Sequence, residues 1–293
     1  MKILVTGESG QLGYDVCREL RRRGTEHRGI SSKELDIRDA AAVQRMLEEY
    51  RPDAVIHCAA YTGVDRAEEE PEACFAVNAQ GTRNIARACA LTGAKLLYIS
   101  TDYVFPGKGE RYYAPEDETG PLSVYGKSKL EGERAVKELL DRFFIIRTSW
   151  VFGINGSNFI RTMLRLSETN DTVRVVADQV GSPTYTADLA PLLCNMIQTE
   201  KYGIYHVTNE GLCSWAELAE AVFAAAGRET KVQRVTTEEY GAKAPRPKNS
   251  RLSKAKLTEQ GFSRLPLCQD ALKRFLAEED ISAKEHPGAE NGS

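Results

Sequence analysis

The feature that most restricts the fold stands at the start of the chain. Ile3-Leu4-Val5 runs into Gly7-Glu8-Ser9-Gly10-Gln11-Leu12-Gly13, and a helical pattern follows over 11–22. A short apolar run that ends in spaced glycines and opens a helix reads as a buried strand, a tight turn and a helix N-terminus. The unit then repeats. Strand-like runs at 26–30, 54–57, 96–99 and 143–146 alternate with helical stretches at 39–50, 71–92 and 125–140. Such alternation, with strands apolar along their whole length, predicts an α/β fold: a doubly wound parallel sheet covered by helices on both faces. Right-handed crossovers bring every strand's C-terminal end to one rim, where ligands bind.

After about residue 150 the alternation loosens. Strands are short (173–176, 203–207), helices fall at 186–199, 214–226 and 267–279, and Pro245-Arg246-Pro247 breaks the chain. The reading is a sheet domain over 1–150, a smaller C-terminal domain over 151–280 that covers the cleft and from which some segments return to the sheet, and a disordered tail over 281–293. The 293 residues carry 39 Lys+Arg against 42 Asp+Glu. A pI near 6.0 argues against a nucleic-acid partner, and no apolar window is long enough to cross a membrane. Seven scattered Cys, none in a Cys-x-x-Cys pair, point away from disulfides and zinc and toward a reducing compartment, the cytoplasm. No metal-ligand set stands out. Arg21-Arg22-Arg23 reads as a helix C-terminus and Glu68-Glu69-Glu70, before Pro71, as a helix N-terminus.

Three segments carry chemistry. The glycine turn lets the backbone approach a pyrophosphate and presents helix N–H groups to it, although Gly-x-x-Gly-x-x-Gly departs from the Gly-x-Gly-x-x-Gly fingerprint; the bland alternative is a strand-to-helix turn without ligand. Tyr125 and Lys129, four apart at a helix start, share one face. A cation beside a phenol favours phenolate and brings an ordinary pKa near 10 toward the working range; the alternative is a solvated helix face. Ser100-Thr101-Asp102-Tyr103-Val104-Phe105 ends the fourth strand, where the Thr101 hydroxyl can donate to a substrate carbonyl oxygen or simply cap the strand.

Together these segments resemble the extended short-chain dehydrogenase/reductase family, which has a Rossmann-type fold and a Ser/Thr–Tyr–Lys catalytic set. Within it the chain is most similar to the branch that reduces the C4 keto group of a dTDP-linked 4-keto-6-deoxy sugar. The likeness runs to about residue 280. It rests on Gly10-Gln11-Leu12-Gly13, Cys58-Ala59-Ala60-Tyr61-Thr62-Gly63-Val64-Asp65 with Glu68 and Pro71, and Ser100 to Gly107. Pro121-Leu122, Val124-Tyr125-Gly126-Lys127, Arg147-Thr148-Ser149-Trp150-Val151, Asp178-Gln179 with Gly181 to Thr184, and Arg246-Pro247 with Asn249-Ser250 complete it.

The resemblance implies that Tyr125 gives a proton to the C4 oxygen, that Lys129 lowers the Tyr125 pKa and holds the nicotinamide ribose, and that Thr101 polarises the same carbonyl. Gly7, Gly10, Gln11, Leu12, Gly13, Asp36, Ile37, Ala59, Ala60, Tyr61, Asn78, Tyr125 and Lys129 would bind the dinucleotide, with Asp36 and Ile37 on the adenine side and Asn78 steadying the lysine or nearby backbone. Thr62, Val64, Thr101, Tyr103, Trp150, Gln179 and Arg246 would hold the dTDP-sugar, Arg246 at its diphosphate; core packing for Trp150 and a solvated loop for Arg246 are the bland alternatives. Some members of the family form homodimers.

For the cofactor, the end of the second strand reads Gly29-Ile30-Ser31-Ser32-Lys33, with no acid before Glu34. Hydroxyls and a cation there favour a 2′-phosphate and therefore NADPH, with NADH as the alternative. Dehydratases of the superfamily follow the Thr with Asp-Glu, whereas Tyr103 stands here, so their C5 base is missing. Another 4-keto sugar-nucleotide reductase, an epimerase, and a non-catalytic NADP-binding subunit like that of methionine adenosyltransferase remain alternatives.

Overall fold

The computed structural model describes residues 1–285. Its first part alternates as the sequence predicts: β1 (Ile3–Thr6), α1 (Gln11–Arg22), β2 (His27–Ile30), α2 (Ala40–Tyr50) and β3 (Ala54–His57). Helices α3 (Val64–Glu69), α4 (Pro71–Phe75) and α5 (Thr82–Thr92) follow, then β4 (Lys95–Thr101), α6 (Val124–Leu139) and β5 (Phe143–Thr148). Successive strand residues point to opposite faces, and here both faces are apolar. Ile3, Val5, Ile56, Leu97 and Phe144 pack on one side, and Leu4, Val55, Leu96, Tyr98 and Ile145 on the other. Neither set is left to water, which is why these strands read as unbroken apolar runs.

The remaining elements are shorter: β6 (Val151–Phe152), α7 (Phe159–Ser167), β7 (Thr172–Val176), β8 (Val180–Gly181), β9 (Thr184–Tyr185), α8 (Thr186–Met196), β10 (Gly203–His206), β11 (Cys213–Ser214), α9 (Trp215–Ala225), β12 (Lys231–Val235), α10 (Thr237–Tyr240), β13 (Asn249–Ser250), α11 (Ala255–Glu259) and α12 (Cys268–Glu285). The six-stranded parallel sheet runs β10-β5-β4-β3-β1-β2. The order reverses between β1 and β3, the switch point at which doubly wound folds bind ligands. Small sheets pair β12 with β7, β6 with β9, and β11-β8-β13. A separate core of Phe152, Tyr185, Val222, Phe223, Leu272 and Phe275 lies beneath them.

Four expectations are refined. The segment 203–207 joins the edge of the large sheet as β10, where Tyr205 and Val207 share a core with Leu189 and Leu193 of α8. The stretch 71–92 is helical throughout, as expected, but contains a π-helical turn over Ala76–Gly81. Glu68-Glu69-Glu70 closes α3 and, through Glu70 at the N-cap of α4, also opens the next helix as expected; Arg66 pairs with Glu70 while Glu68 accepts the Val124 N–H. Helix α12 continues to Glu285, because Phe275, deep in the second core, anchors it; the disordered tail read over 281–293 is therefore helical to 285, and its remainder, 286–293, lies outside the described residues.

Candidate active site

The glycine turn is shaped by what passes it. Gly7 adopts φ +74°, and a Cβ there would sit 2.7 Å from the Ala59 nitrogen, so only glycine lets β1 turn beside the end of β3. Gly13 would strike the Gly7 carbonyl in the same way. Helix α1 begins at Gln11 with no side-chain cap and no acid in its first turn. Its first N–H groups are thereby left for an external anion, as a pyrophosphate requires. Asn155 Nδ2 donates to the Ser9 carbonyl at 2.9 Å and Asn158 Nδ2 to Gln11 Oε1 at 3.2 Å, so the segment after β6 braces the turn from outside. These residues fit a nicotinamide dinucleotide.

Ala59, Ala60 and Tyr61 follow β3. The Ala59 N–H donates to Thr6 Oγ1, while Asn78, buried in the π-helical turn, accepts from the Tyr61 N–H (2.8 Å) and donates to the Tyr61 carbonyl (3.0 Å) and to Ser128 Oγ (3.0 Å). The sequence reading left Asn78 to steady either lysine or backbone; it holds backbone, and the locally widened helix lets it reach. Asp36 is exposed and paired with Arg38, and Ile37 is buried in the sheet's core with its carbonyl taken by Asn84.

Thr101, the last residue of β4, donates to Asp102 Oδ1 (3.0 Å) and accepts from the Tyr103 N–H (3.2 Å). Ser123 caps α6 by accepting the Gly126 N–H, as Ser does at helix starts. Gly126 is pressed so closely on the Tyr103 carbonyl that a Cβ would collide with it. The start of α6 is thus locked to the end of β4. Tyr125 meets Tyr103 edge to face with ring centroids 5.5 Å apart, and its phenol lies beside the Thr101 hydroxyl.

The charge states differ from the expectation. Burial pushes the Tyr125 phenol above its ordinary pKa, against the pull of Thr101 and with Asp102 adding to the rise. Lys129 is not what governs it. The Lys129 ammonium donates to the Ile99 carbonyl at 2.6 Å and lies 4.2 Å from the centre of the Tyr98 ring. Burial lowers its pKa to about 7, opposed by Glu133. Burial likewise lifts Asp102 to about 6. A phenol in this state keeps its proton at neutral pH, which suits a donor rather than a base.

Behind Lys129 lies a set that sequence reasoning missed. Glu133, one turn further along α6, accepts from Ser100 Oγ (2.6 Å) and is gripped by Arg147 at 2.7 and 2.9 Å, with both residues buried. The i, i+4 spacing of Lys129 and Glu133 was visible; the partner on β5 was not.

The residues read as sugar-binding fall in three places. Thr62 and Val64 enter α3, whose Asp65 holds Arg246 through two bonds of 2.9 and 2.7 Å; Tyr103 lies within electrostatic reach of Arg246. Trp150 has φ +50°, strained for a bulky residue, and stacks on Trp215 at 3.7 Å. Its ring also faces Gly181, two residues past buried Gln179, which donates to Thr237 Oγ1 at 3.1 Å. Ser250, paired with Gly181 across β13 and β8, lies beside Asp102 and so joins the Trp150 group to the end of β4. A concavity lined by Met1, Glu48, Asp53, Lys95 and Arg142 opens at the opposite rim of the sheet and contains none of these residues. Among the described residues, no three His, Cys, Asp or Glu are grouped to hold a metal ion, and no helix is long and apolar enough to cross a membrane.

Comparison with known proteins matches residues 1–281 to the family described as the RmlD substrate binding domain. The spore coat polysaccharide biosynthesis protein SpsK of Bacillus subtilis is 44% identical over 94% of this chain and 97% of its own. A dTDP-4-dehydrorhamnose reductase of Streptomyces griseus is 45% identical over 89% and 88%. Among solved structures, the dTDP-4-dehydrorhamnose reductase of Bacillus anthracis in complex with NADP superposes with a TM-score of 0.92 at 45% identity, covering 95% of this chain and 100% of that one.

Proposed function

The chain belongs to the RmlD substrate binding domain family, and on that premise we propose that it reduces the C4 keto group of dTDP-4-dehydro-L-rhamnose, giving dTDP-L-rhamnose, with NADPH as reductant. The observation that carries the reading is the locked contact between the end of β4 and the start of α6, which sets the Thr101 hydroxyl beside a protonated Tyr125. When bound, NADPH supplies the hydride. Tyr125 gives its proton to the C4 oxygen as negative charge develops there, and the Thr101 hydroxyl, turned from Asp102, donates a hydrogen bond to the same oxygen. Lys129, fixed by the Ile99 carbonyl, holds the nicotinamide ribose and faces the phenolate that remains. Gly7, Gly10, Gln11, Leu12 and Gly13 cradle the pyrophosphate; Ala59, Ala60 and Tyr61, steadied by Asn78, pass beside the dinucleotide, with Asp36 and Ile37 on its adenine side. Thr62, Val64, Tyr103, Trp150 and Gln179 enclose the sugar, and Arg246 turns from Asp65 toward the diphosphate.

On this reading 1–150 is the cofactor domain and 151–280 mainly the substrate domain, with β10 returned to the first. The enzyme works in the cytoplasm on small molecules rather than nucleic acid, and a homodimer is the assembly to test by sedimentation velocity. The decisive assay follows NADPH oxidation with dTDP-4-dehydro-L-rhamnose and identifies the product. Consumption with dTDP-L-rhamnose formed establishes reaction and substrate together. Bound NADPH without turnover moves the reading to another 4-keto sugar nucleotide, and then to a non-catalytic partner.

A further inference from the structure

The second strand ends without an acid in its own sequence, yet the fold brings one there. Both Gly7 and Glu8 donate their N–H groups to the Ile30 carbonyl, at 2.9 and 3.2 Å, so the glycine turn lies against the end of β2. The Glu8 side chain folds over Gly29, where a Cβ would stand 2.5 and 2.8 Å from its two carboxylate oxygens. Gly29 is what admits it: β1 and β2 pair Val5 with Gly29, and any larger residue would occupy the carboxylate's place. Glu8 is half-buried and has no hydrogen-bond or ion-pair partner among the described residues. Meanwhile Ser31, read as a 2′-phosphate donor, has both its N–H and its hydroxyl committed to Glu34, at 2.9 and 3.0 Å. The rim that was to receive a dianion therefore carries two carboxylates, Glu8 and Glu34, beside Lys33, with Arg28 of β2 within electrostatic reach of Glu34.

In doubly wound folds an acid at this point accepts from the adenosine ribose hydroxyls, and a 2′-phosphate is disfavoured beside it. We propose that Glu8 reads the adenosine ribose and sets the balance between the two nicotinamide dinucleotides. The carboxylate accepts from the 2′-hydroxyl of NADH and repels the phosphate of NADPH, so the residue tunes specificity without touching the reacting atoms. The inference rests on reading the glycine turn as a dinucleotide site.

The test measures dissociation constants of NADH and NADPH by calorimetry, without sugar nucleotide, for the native protein, Glu8→Gln and Glu8→Ala, with thermal melts to confirm folding. Glu8→Gln keeps the shape and removes the charge. The expected result is NADH binding weakened about tenfold and NADPH binding strengthened, the scale of one charge-assisted hydrogen bond. A ratio of the two constants that moves by less than about threefold in both variants overturns the role of Glu8. Failure of the native protein to bind either dinucleotide overturns the reading of the turn itself, a different outcome from loss of selectivity.

Discussion

The large sheet and the segments after residue 150 solve the same packing problem with different forces. In β1, β3, β4 and β5 nearly every side chain is buried and most are apolar, so position follows from the hydrophobic effect acting on two faces at once. In the second part the strands are mostly two residues long and side-chain bonds replace the ladder. Thr237 Oγ1 donates to Asp178 Oδ1 and accepts from Gln179; Lys248 bridges Asp178 and Glu238; Asp65 grips Arg246 from the other part. Proton transfer is intolerant of displacement, and Thr101, Tyr125 and Lys129, the proposed catalytic set, all stand on the first kind of structure. Recognition of a sugar nucleotide needs varied polar groups, and Gln179 and Arg246, proposed to supply them, stand on the second kind.

The contrast is testable from its largest consequence downward. Leu97→Ala, in the sheet's core, is expected to cost about 2–5 kcal/mol of unfolding free energy. Thr237→Ala, which removes hydrogen bonds in the second part, is expected to cost about 0.5–1.5 kcal/mol in chemical denaturation. Equal costs would erase the distinction.

Acid should act on the sheet as well. Burial holds His57 and His206 near pKa 3, below an ordinary 6.5, with Lys129 and Arg147 respectively adding to the drop. Both folded values are depressed, so the unfolded chain takes up protons first. The stability present above pH 6.5 is lost as pH falls toward 3, by about 1.4 kcal/mol per histidine per pH unit. A flat denaturation midpoint between pH 6.5 and 5 would contradict the burial of either ring; His206→Asn and His57→Asn assign the slope.

Tyr125→Phe removes the proposed proton donor and leaves the ring packed on Tyr103. Turnover should fall at least about a hundredfold while the NADPH dissociation constant stays in place. Turnover near that of the native protein would sink the assignment. Arg246→Ala should raise KM for the sugar nucleotide about tenfold, ~1.4 kcal/mol, with kcat held. A fall in kcat at constant KM would instead place the second part in the chemistry itself.

How far the sequence could be read follows the same division. Helix α1 and its glycine turn, the apolar strands and the Tyr125–Lys129 pair were legible, because each is a local pattern with a local cause. Asn78 was not singled out by pattern, since 71–92 has an uninterrupted helical look and nothing in it announces a π-helical turn. Glu133 and Arg147 carried no signal of pairing. Gly29 did carry one: a glycine inside a strand marks a close approach, though not which residue approaches. The expectation that Lys129 lowers the Tyr125 pKa came from spacing and from resemblance, neither of which registers burial, the larger effect here.

By itself the sequence determined the strand and helix periodicities, the glycine turn, and the residue types available for proton donation and phosphate binding, since these depend on neighbours a few positions away. Only the tertiary structure decided which distant groups meet: Glu8 over Gly29, Asp65 with Arg246, Glu133 with Arg147, and β10 beside β5. It also decided which groups lose their water, and so the charge that Tyr125, Lys129 and Asp102 carry. Solvation and long-range contact are properties of the packed chain, and no local spacing encodes them.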